Sequence, residues 1–217
     1  KLRKQQAERA IFKIRDKLKG TIVTKQELIQ STFETYYKNL FTKISEGKED
    51  EIKAFLDGLN LPSMTEEQNK KLGAEITVLE IQNAITRLRN NSSPGSDGFT
   101  SEWYKALKET LIPILLTTFN WILKNAQTTP SRKEAIISLI PKEGKDRLDC
   151  GSYRPISILN VDYRIYTSIM SKRMERILPK LIHNDQTGFI YRRQTHDNIR
   201  QTLHIMNYIQ KHNKKKQ

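Results

Sequence analysis

The sequence predicts a predominantly helical α+β chain, and three observations carry that expectation. Apolar residues recur at spacings of three and four over several long stretches. Short runs rich in isoleucine are bounded by proline and polar turns, as strands are. A proline- and glycine-containing segment, 90–100, interrupts the helical pattern between two of those stretches. With 217 residues, 36% of them hydrophobic, the chain can bury a real core as one large domain or two small ones. A formal net charge of +14 points to a polyanionic partner, either nucleic acid or an anionic membrane surface.

Taken in order, residues 1–9 are basic and helix-prone and read as the end of a helix that begins upstream. The chain opens on Lys1, so it is expected to be a piece of something longer. Residues 10–14 and 21–23 flank a charged turn closed by Gly20, which predicts a small hairpin. Thr24 with Glu27 forms a capping-box pattern ahead of a helix whose Leu28, Ile29, Phe33, Tyr36, Tyr37, Leu40 and Phe41 are expected to pack inward. Residues 46–61 are locally acidic and predict a surface connection with a short helix over 49–56, so a boundary is placed near 60. Residues 1–60 are then an upstream extension, and 61–217 a second domain.

Two more capping boxes follow, Thr65 with Gln68 and Thr77 with Glu80. The second opens an amphipathic helix with Ile81, Ala84, Ile85 and Leu88 inward and Arg87 and Arg89 outward. Residues 90–100, NNSSPGSDGFT, are the most loop-like segment, and their backbone amides are placed to face an anion. Residues 99–126 predict a long helical region with Leu107, Leu111, Ile114, Leu115, Phe119 and Ile122 on its core side. Pro113 is expected to mark a kink or a junction in it.

The stretch 135–160 organises the rest. Residues 135–140 predict a buried strand, 143–151 a polar loop and 156–159 a second strand. Lys142 and Arg154 then stand at the facing ends of a hairpin, a separation that suits one polyanion such as a phosphate chain, although basic residues at a strand edge also serve simply to discourage sheet pairing. Residues 161–178 predict an amphipathic helix whose outer face carries Arg164, Lys172, Arg173 and Arg176, a basic stripe able to follow a phosphate backbone. The last helix is expected to turn Ile199, Leu203, Met206 and Ile209 inward. It runs into the lysine-rich end 211–216, either a solvated helix end or a further polyanion contact.

Cys150 is the single cysteine, which excludes an internal disulfide and a cysteine-based zinc site, and the four histidines lack metal-ligand spacing. No apolar run reaches the roughly 18 residues of a spanning helix, and no signal-peptide pattern opens the chain. An intracellular location, in cytoplasm or nucleus, is expected, with no membrane partner.

Three blocks in order carry a resemblance. IPKEGKD followed by SYRPISILN resembles the first two fingers motifs of reverse transcriptases from LINE-type, non-long-terminal-repeat retrotransposons. SPGSDGF, with Ser93, Pro94, Gly95, Asp97, Gly98 and Phe99, is similar to the block that precedes them in that family. Gln186, Gly188, Phe189, Arg192 or Arg193, Asp197, Asn198 and Ile199 resemble the motif that follows them. The resemblance implies the fingers and first edge of the palm of a right-hand polymerase. Lys142 and Arg154 would grip the triphosphate of an incoming deoxynucleotide, and the 93–99 loop would touch template RNA, with Lys172, Arg173 and Arg176 added as a backbone-following stripe.

For the complete polymerase the family implies magnesium, a DNA primer and an RNA template. The metal-binding carboxylates are due after the last motif, so no catalytic residue and no metal ligand is named in this chain, and the chain alone is expected to be inactive. An alternative is a non-catalytic basic RNA-binding module derived from such an element. A helical scaffold for acidic proteins would explain the charge but not the ordered motifs.

Overall fold

The computed structural model describes residues 10–42, 49–59 and 61–213. The expected helix end at 1–9 and the last residues of the lysine-rich end lie outside them. In chain order the elements are β1 (Ile14–Asp16), β2 (Thr21–Val23), α1 (Gln26–Phe41), α2 (Glu49–Asp57), α3 (Glu66–Leu72), α4 (Val78–Thr86), α5 (Ser101–Ala106), α6 (Lys108–Asn125), α7 (Pro130–Lys133), β3 (Ala135–Pro141), β4 (Tyr153–Leu159), α8 (Val161–Glu175), α9 (Leu178–Leu181) and α10 (Thr195–Asn213). A 3₁₀ turn, Cys150–Ser152, leads into β4. The expectation of a mostly helical chain with two small antiparallel hairpins is met.

The chain divides into two compact units, each discontinuous in sequence: Lys1–Leu59 with Glu134–Leu159, and Asn60–Lys133 with Asn160–Gln217. In the first, β1 and β2 pair antiparallel with Ile14 opposite Val23, so the strand starts at the last residue of the 10–14 strand expected. The strand forms there because the Arg15 amide donates to the Leu148 carbonyl at 2.8 Å, which holds β1 against the long loop of the second hairpin. Ile14, Ile29, Phe33, Cys150 and Tyr153 form the core of this unit. Phe33 meets Tyr153 edge to face at 5.1 Å, and the Tyr37 hydroxyl donates to the Tyr153 carbonyl at 3.4 Å. Helix α1 lacks the expected capping box: Lys25 occupies the cap position without a side-chain bond, so Thr24 lies one residue too early. Of its apolar stripe only Ile29 and Phe33 are buried, while Leu28, Leu40 and Phe41 are exposed.

Strands β3 and β4 pair antiparallel from Ala135↔Leu159 to Pro141↔Tyr153. The expectation that the isoleucine run is buried fails, since Ile136, Ile137, Ile140 and Ile156 are all exposed. A two-stranded ribbon has no flanking strands, and among its residues Leu139 and Tyr153 reach the core.

The core of the second unit joins α4, α5, α6 and α8 through Ile81, Ala84, Ile85, Tyr104, Ile112, Leu115, Phe119, Ile122, Val161, Ile165 and Ile169, with Ile76 from the segment before α4. The Asn120 side chain accepts from the Ile76 amide at 2.7 Å and donates to its carbonyl at 3.0 Å, pairing a loop backbone as a strand would. Both expected capping boxes, Thr65 with Gln68 and Thr77 with Glu80, are formed. The helical region breaks at Leu107 (φ −102°, ψ 18°) and not at Pro113, which sits inside α6. Proline lacks its own N–H and crowds the carbonyl four residues back, yet α6 continues through Pro113, whereas Leu107 leaves the helical region altogether. Leu107 and Ile114, expected in the core, are exposed. Helix α10 also departs from expectation: Ile199, Leu203, Met206 and Ile209 are all exposed, each by about half.

Candidate nucleotide and nucleic-acid sites

The hairpin geometry decides where its two cations point. Ile140 lies opposite Arg154, and the ladder runs one step further, with the Lys142 amide donating to the Ser152 carbonyl at 2.8 Å. Residues two apart on a strand share a face with each other and with the cross-strand partner of either. Lys142 and Arg154 therefore stand on one face of the ribbon. Lys142 is half-buried and its ammonium donates to the Gly151 carbonyl at 2.7 Å, leaving further N–H donors, and Arg154 is exposed.

Two acids of the connecting loop, Asp149 and Asp146, are engaged elsewhere. Asp149 accepts from the Gly151 amide at 3.0 Å and from the Lys17 ammonium at 3.1 Å, and these two contacts, the amide first, hold its carboxyl below the usual range. Asp146 accepts from the Leu148 amide at 2.9 Å and pairs with Arg15 at 3.5 Å. The loop is thus braced by its own carboxylates and by β1 and its turn.

In the second unit the 93–99 loop is built around Asn160. That residue is 4% exposed; its Oδ1 accepts from the Ser96 hydroxyl at 3.3 Å and the Asp97 amide at 3.4 Å, and its Nδ2 donates to the Ser131 carbonyl at 3.2 Å. Gly95 is buried against it, and a β-carbon there would stand 2.5 Å from the Asn160 amide nitrogen. The Gly98 amide closes a turn onto the Gly95 carbonyl at 3.2 Å, and the Asp97 carboxylate accepts from the Phe99 amide at 3.0 Å. The amides of residues 97, 98 and 99 are therefore used inside the protein, and for these three the expectation of amides turned to an anion is corrected. Ser93, Asp97, Gly98 and Phe99 remain exposed, Pro94 is half-buried, and the Phe99 ring packs on Trp103 at 4.3 Å.

The basic face of α8 is not uniform. Arg173 donates to both carboxylate oxygens of Glu80, at 2.7 and 2.9 Å, and to the carbonyls of Leu72, Ala74 and Glu75. Its guanidinium is spent tying α8 to α4 and to the segment before it, so its place in a ligand-facing stripe is corrected. Glu80 is held at about 2, chiefly by that bond from Arg173. Arg164 donates to the Ser93 carbonyl at 3.4 Å, supporting the 93–99 loop. Lys172 pairs with Glu175, and Arg176 is exposed. Lys172 and Arg176 border a groove of about 560 Å³ whose wall also carries Lys71, Arg87, Ala84 and Ile169.

Three residues play parts in this architecture that their sequence pattern did not show. Asn160 occupies the N-cap position of α8 but makes no cap bond, because its side-chain amide serves the 93–99 loop. Asp162 pairs with Arg132 at 2.6 Å with both side chains largely buried. Arg193 donates to the carbonyls of Pro179, Ile182, His183 and Gln186, so one guanidinium holds the segment after α8.

Among the described residues no group of three or more His, Cys, Asp or Glu side chains is placed to hold a metal ion. The magnesium implied for a complete polymerase therefore has no fitting donor set among the described residues. No described helix is long and apolar enough to cross a membrane.

Residues 140–217 match the family model described as reverse transcriptase (RNA-dependent DNA polymerase). Outside that match, similarity extends over most of the chain. The transposon TX1 uncharacterized 149 kDa protein of Xenopus laevis is 32% identical over 189 residues, 86% of this chain and 14% of that protein. A probable RNA-directed DNA polymerase from transposon BS of Drosophila melanogaster is 27% identical over 192 residues, 88% of this chain and 20% of that protein. The chain belongs to the reverse transcriptases of non-long-terminal-repeat retrotransposons. The RNA-directed DNA polymerase from mobile element jockey of Drosophila funebris is another relative, 29% identical over 61% of this chain and 14% of that protein. The chain thus spans between about a seventh and a fifth of the length of these family members. The family match begins at Ile140, directly opposite Arg154, so it takes in both hairpin cations.

Proposed function

We propose that this chain supplies the incoming-nucleotide and template-RNA contacts of an RNA-directed DNA polymerase. The observation that carries the nucleotide reading is the shared face of Lys142 and Arg154 on a braced ribbon. A guanidinium offers a planar fork that matches phosphate oxygens two at a time, and an ammonium acts as a compact point charge beside it. Together they suit the triphosphate of a deoxynucleotide.

Template RNA is assigned to the 93–99 loop, with Ser93, Pro94, Gly95, Asp97, Gly98 and Phe99, and to Lys172 and Arg176 on α8. Within the loop the exposed Ser93 hydroxyl and Phe99 ring are the groups that reach a strand, while Gly95 and Asp97 shape it. Arg173 supports the stripe from behind. No step of chemistry is assigned to a metal on this chain, and in the complete enzyme a DNA primer would join these contacts.

Displacement of a fluorescent deoxynucleoside triphosphate, measured beside RNA affinity, tests the assignment. Lys142→Ala and Arg154→Ala are expected to weaken nucleotide binding by tenfold or more, while leaving single-stranded RNA affinity nearly unchanged. Loss of RNA binding in these two variants, with Lys172→Ala and Arg176→Ala unaffected, would reverse the roles. RNA binding with no nucleotide binding in the unaltered chain would favour a basic RNA-binding module instead.

A further inference from the structure

The segment after α9 holds an arrangement that the nucleotide and template assignments leave unused. Thr187 and Ile190 are buried at 7% and 8%, and between them Phe189 is fully exposed with φ 61°. A bulky residue with positive φ is an uncommon conformation, and an unburied phenyl ring forgoes the main gain an aromatic side chain brings to a fold. The loop is not loose. Arg193 fixes the preceding backbone at four carbonyls, and the two buried neighbours pin Phe189 on either side.

Beyond Ile190, the residues that follow Phe189 in the chain are aromatic and cationic. Tyr191 is half exposed, with the Arg192 guanidinium 5.1 Å and the Lys172 ammonium 5.7 Å from its ring centroid. Lys172 leads in turn to Arg176 and the groove beside α8. Exposed rings interleaved with cations are the chemistry that holds single-stranded nucleic acid, with bases stacking on the rings and phosphates meeting the charges.

We propose that Phe189 is a stacking platform for an unpaired base of single-stranded RNA, with Tyr191 and Arg192 flanking it and Lys172 and Arg176 receiving the adjoining phosphates. This rests on the reading of the chain as an RNA-binding part of a reverse transcriptase and adds a contact outside the 93–99 loop. An acidic protein would satisfy the cations but would leave the exposed ring without a flat partner.

The test compares a short single-stranded RNA with an oligonucleotide of equal length and charge that lacks bases, each titrated by fluorescence anisotropy. Phe189→Ala is expected to weaken binding of the base-containing strand roughly tenfold and to leave the abasic strand unchanged. Phe189→Trp should restore the loss. Arg176→Ala is expected to weaken both strands and to reduce the slope of log affinity against log salt by about 0.7. Because Phe189 is fully exposed, the variant should melt with the unaltered chain, which a thermal scan checks. Unchanged RNA affinity in Phe189→Ala, while a 93–99 loop variant loses affinity, overturns the platform alone. Failure of the unaltered chain to bind RNA overturns both this inference and the reading beneath it.

Discussion

Gly95 lies so close to Asn160 that a β-carbon at position 95 would stand 2.5 Å from the Asn160 amide nitrogen and 2.7 Å from its Cα, with the side-chain oxygen closer still. Backbone cannot yield as the tip of a flexible side chain does, so the glycine is required by space. Gly98, three residues on, has open space around it but a φ of 77°, so there the requirement is conformational.

These two glycines should therefore fail differently. Gly95→Ala is expected to cost about 1–3 kcal/mol, as overpacking does, and to lower RNA affinity by displacing the loop from Asn160. Gly98→Ala should cost about 1–2 kcal/mol from the backbone alone. Urea unfolding of both variants, with RNA anisotropy alongside, separates them: a loop that tolerated Gly95→Ala without loss of stability would contradict the packing.

Asn160→Asp keeps the acceptors for Ser96 and Asp97 but turns an oxygen toward the Ser131 carbonyl that Nδ2 now donates to. Burying that mismatch is expected to cost about 1–3 kcal/mol. Stability equal to that of the unaltered chain would remove Asn160 from its proposed place as the anchor of the loop.

Arg173→Ala should act on stability, whereas Arg176→Ala should act on RNA binding. The Arg173 guanidinium bridges Glu80 and three carbonyls, with its side chain 11% exposed, so its loss is expected to cost roughly 2–4 kcal/mol. The opposite pattern, a stable Arg173→Ala chain with weakened RNA binding, would return Arg173 to the ligand-facing stripe.

The same pair sets a pH dependence. Glu80 is held at about 2 against an ordinary value of 4.5, chiefly by the Arg173 bond. A lowered carboxyl contributes stability that is complete above about 4.5 and is lost as pH falls from there toward 2. Arg173→Ala should remove the part of the acid transition that falls in this window. Identical acid unfolding profiles for the two chains would contradict the assignment.

What the sequence made legible was local. The boxes at Thr65 and Thr77 formed because each needs partners only three residues apart, and the β3–β4 ribbon formed because Pro141 and the polar loop bound its strands. What stayed hidden depends on distant partners. Arg173 reads as one more cation on a helix face, because Glu80 lies 93 residues away in sequence. Asn160 reads only as the last residue of SYRPISILN, and nothing near it in sequence announces Gly95. The apolar face of α10 shows the opposite limit: helical spacing told which residues align, but not whether a described element covers them.

Template RNA is proposed to lie on the 93–99 loop and on the outer face of α8. Photo-crosslinking with single-stranded RNA carrying 4-thiouridine, followed by mass spectrometry of the digested 217-residue chain, addresses this placement most directly. Adducts are expected in the peptides that contain residues 93–99 and 172–176, and those in 93–99 should fall with Gly95→Ala. Adducts confined to the lysine-rich end at 211–216, with neither stretch labelled, would contradict the claim.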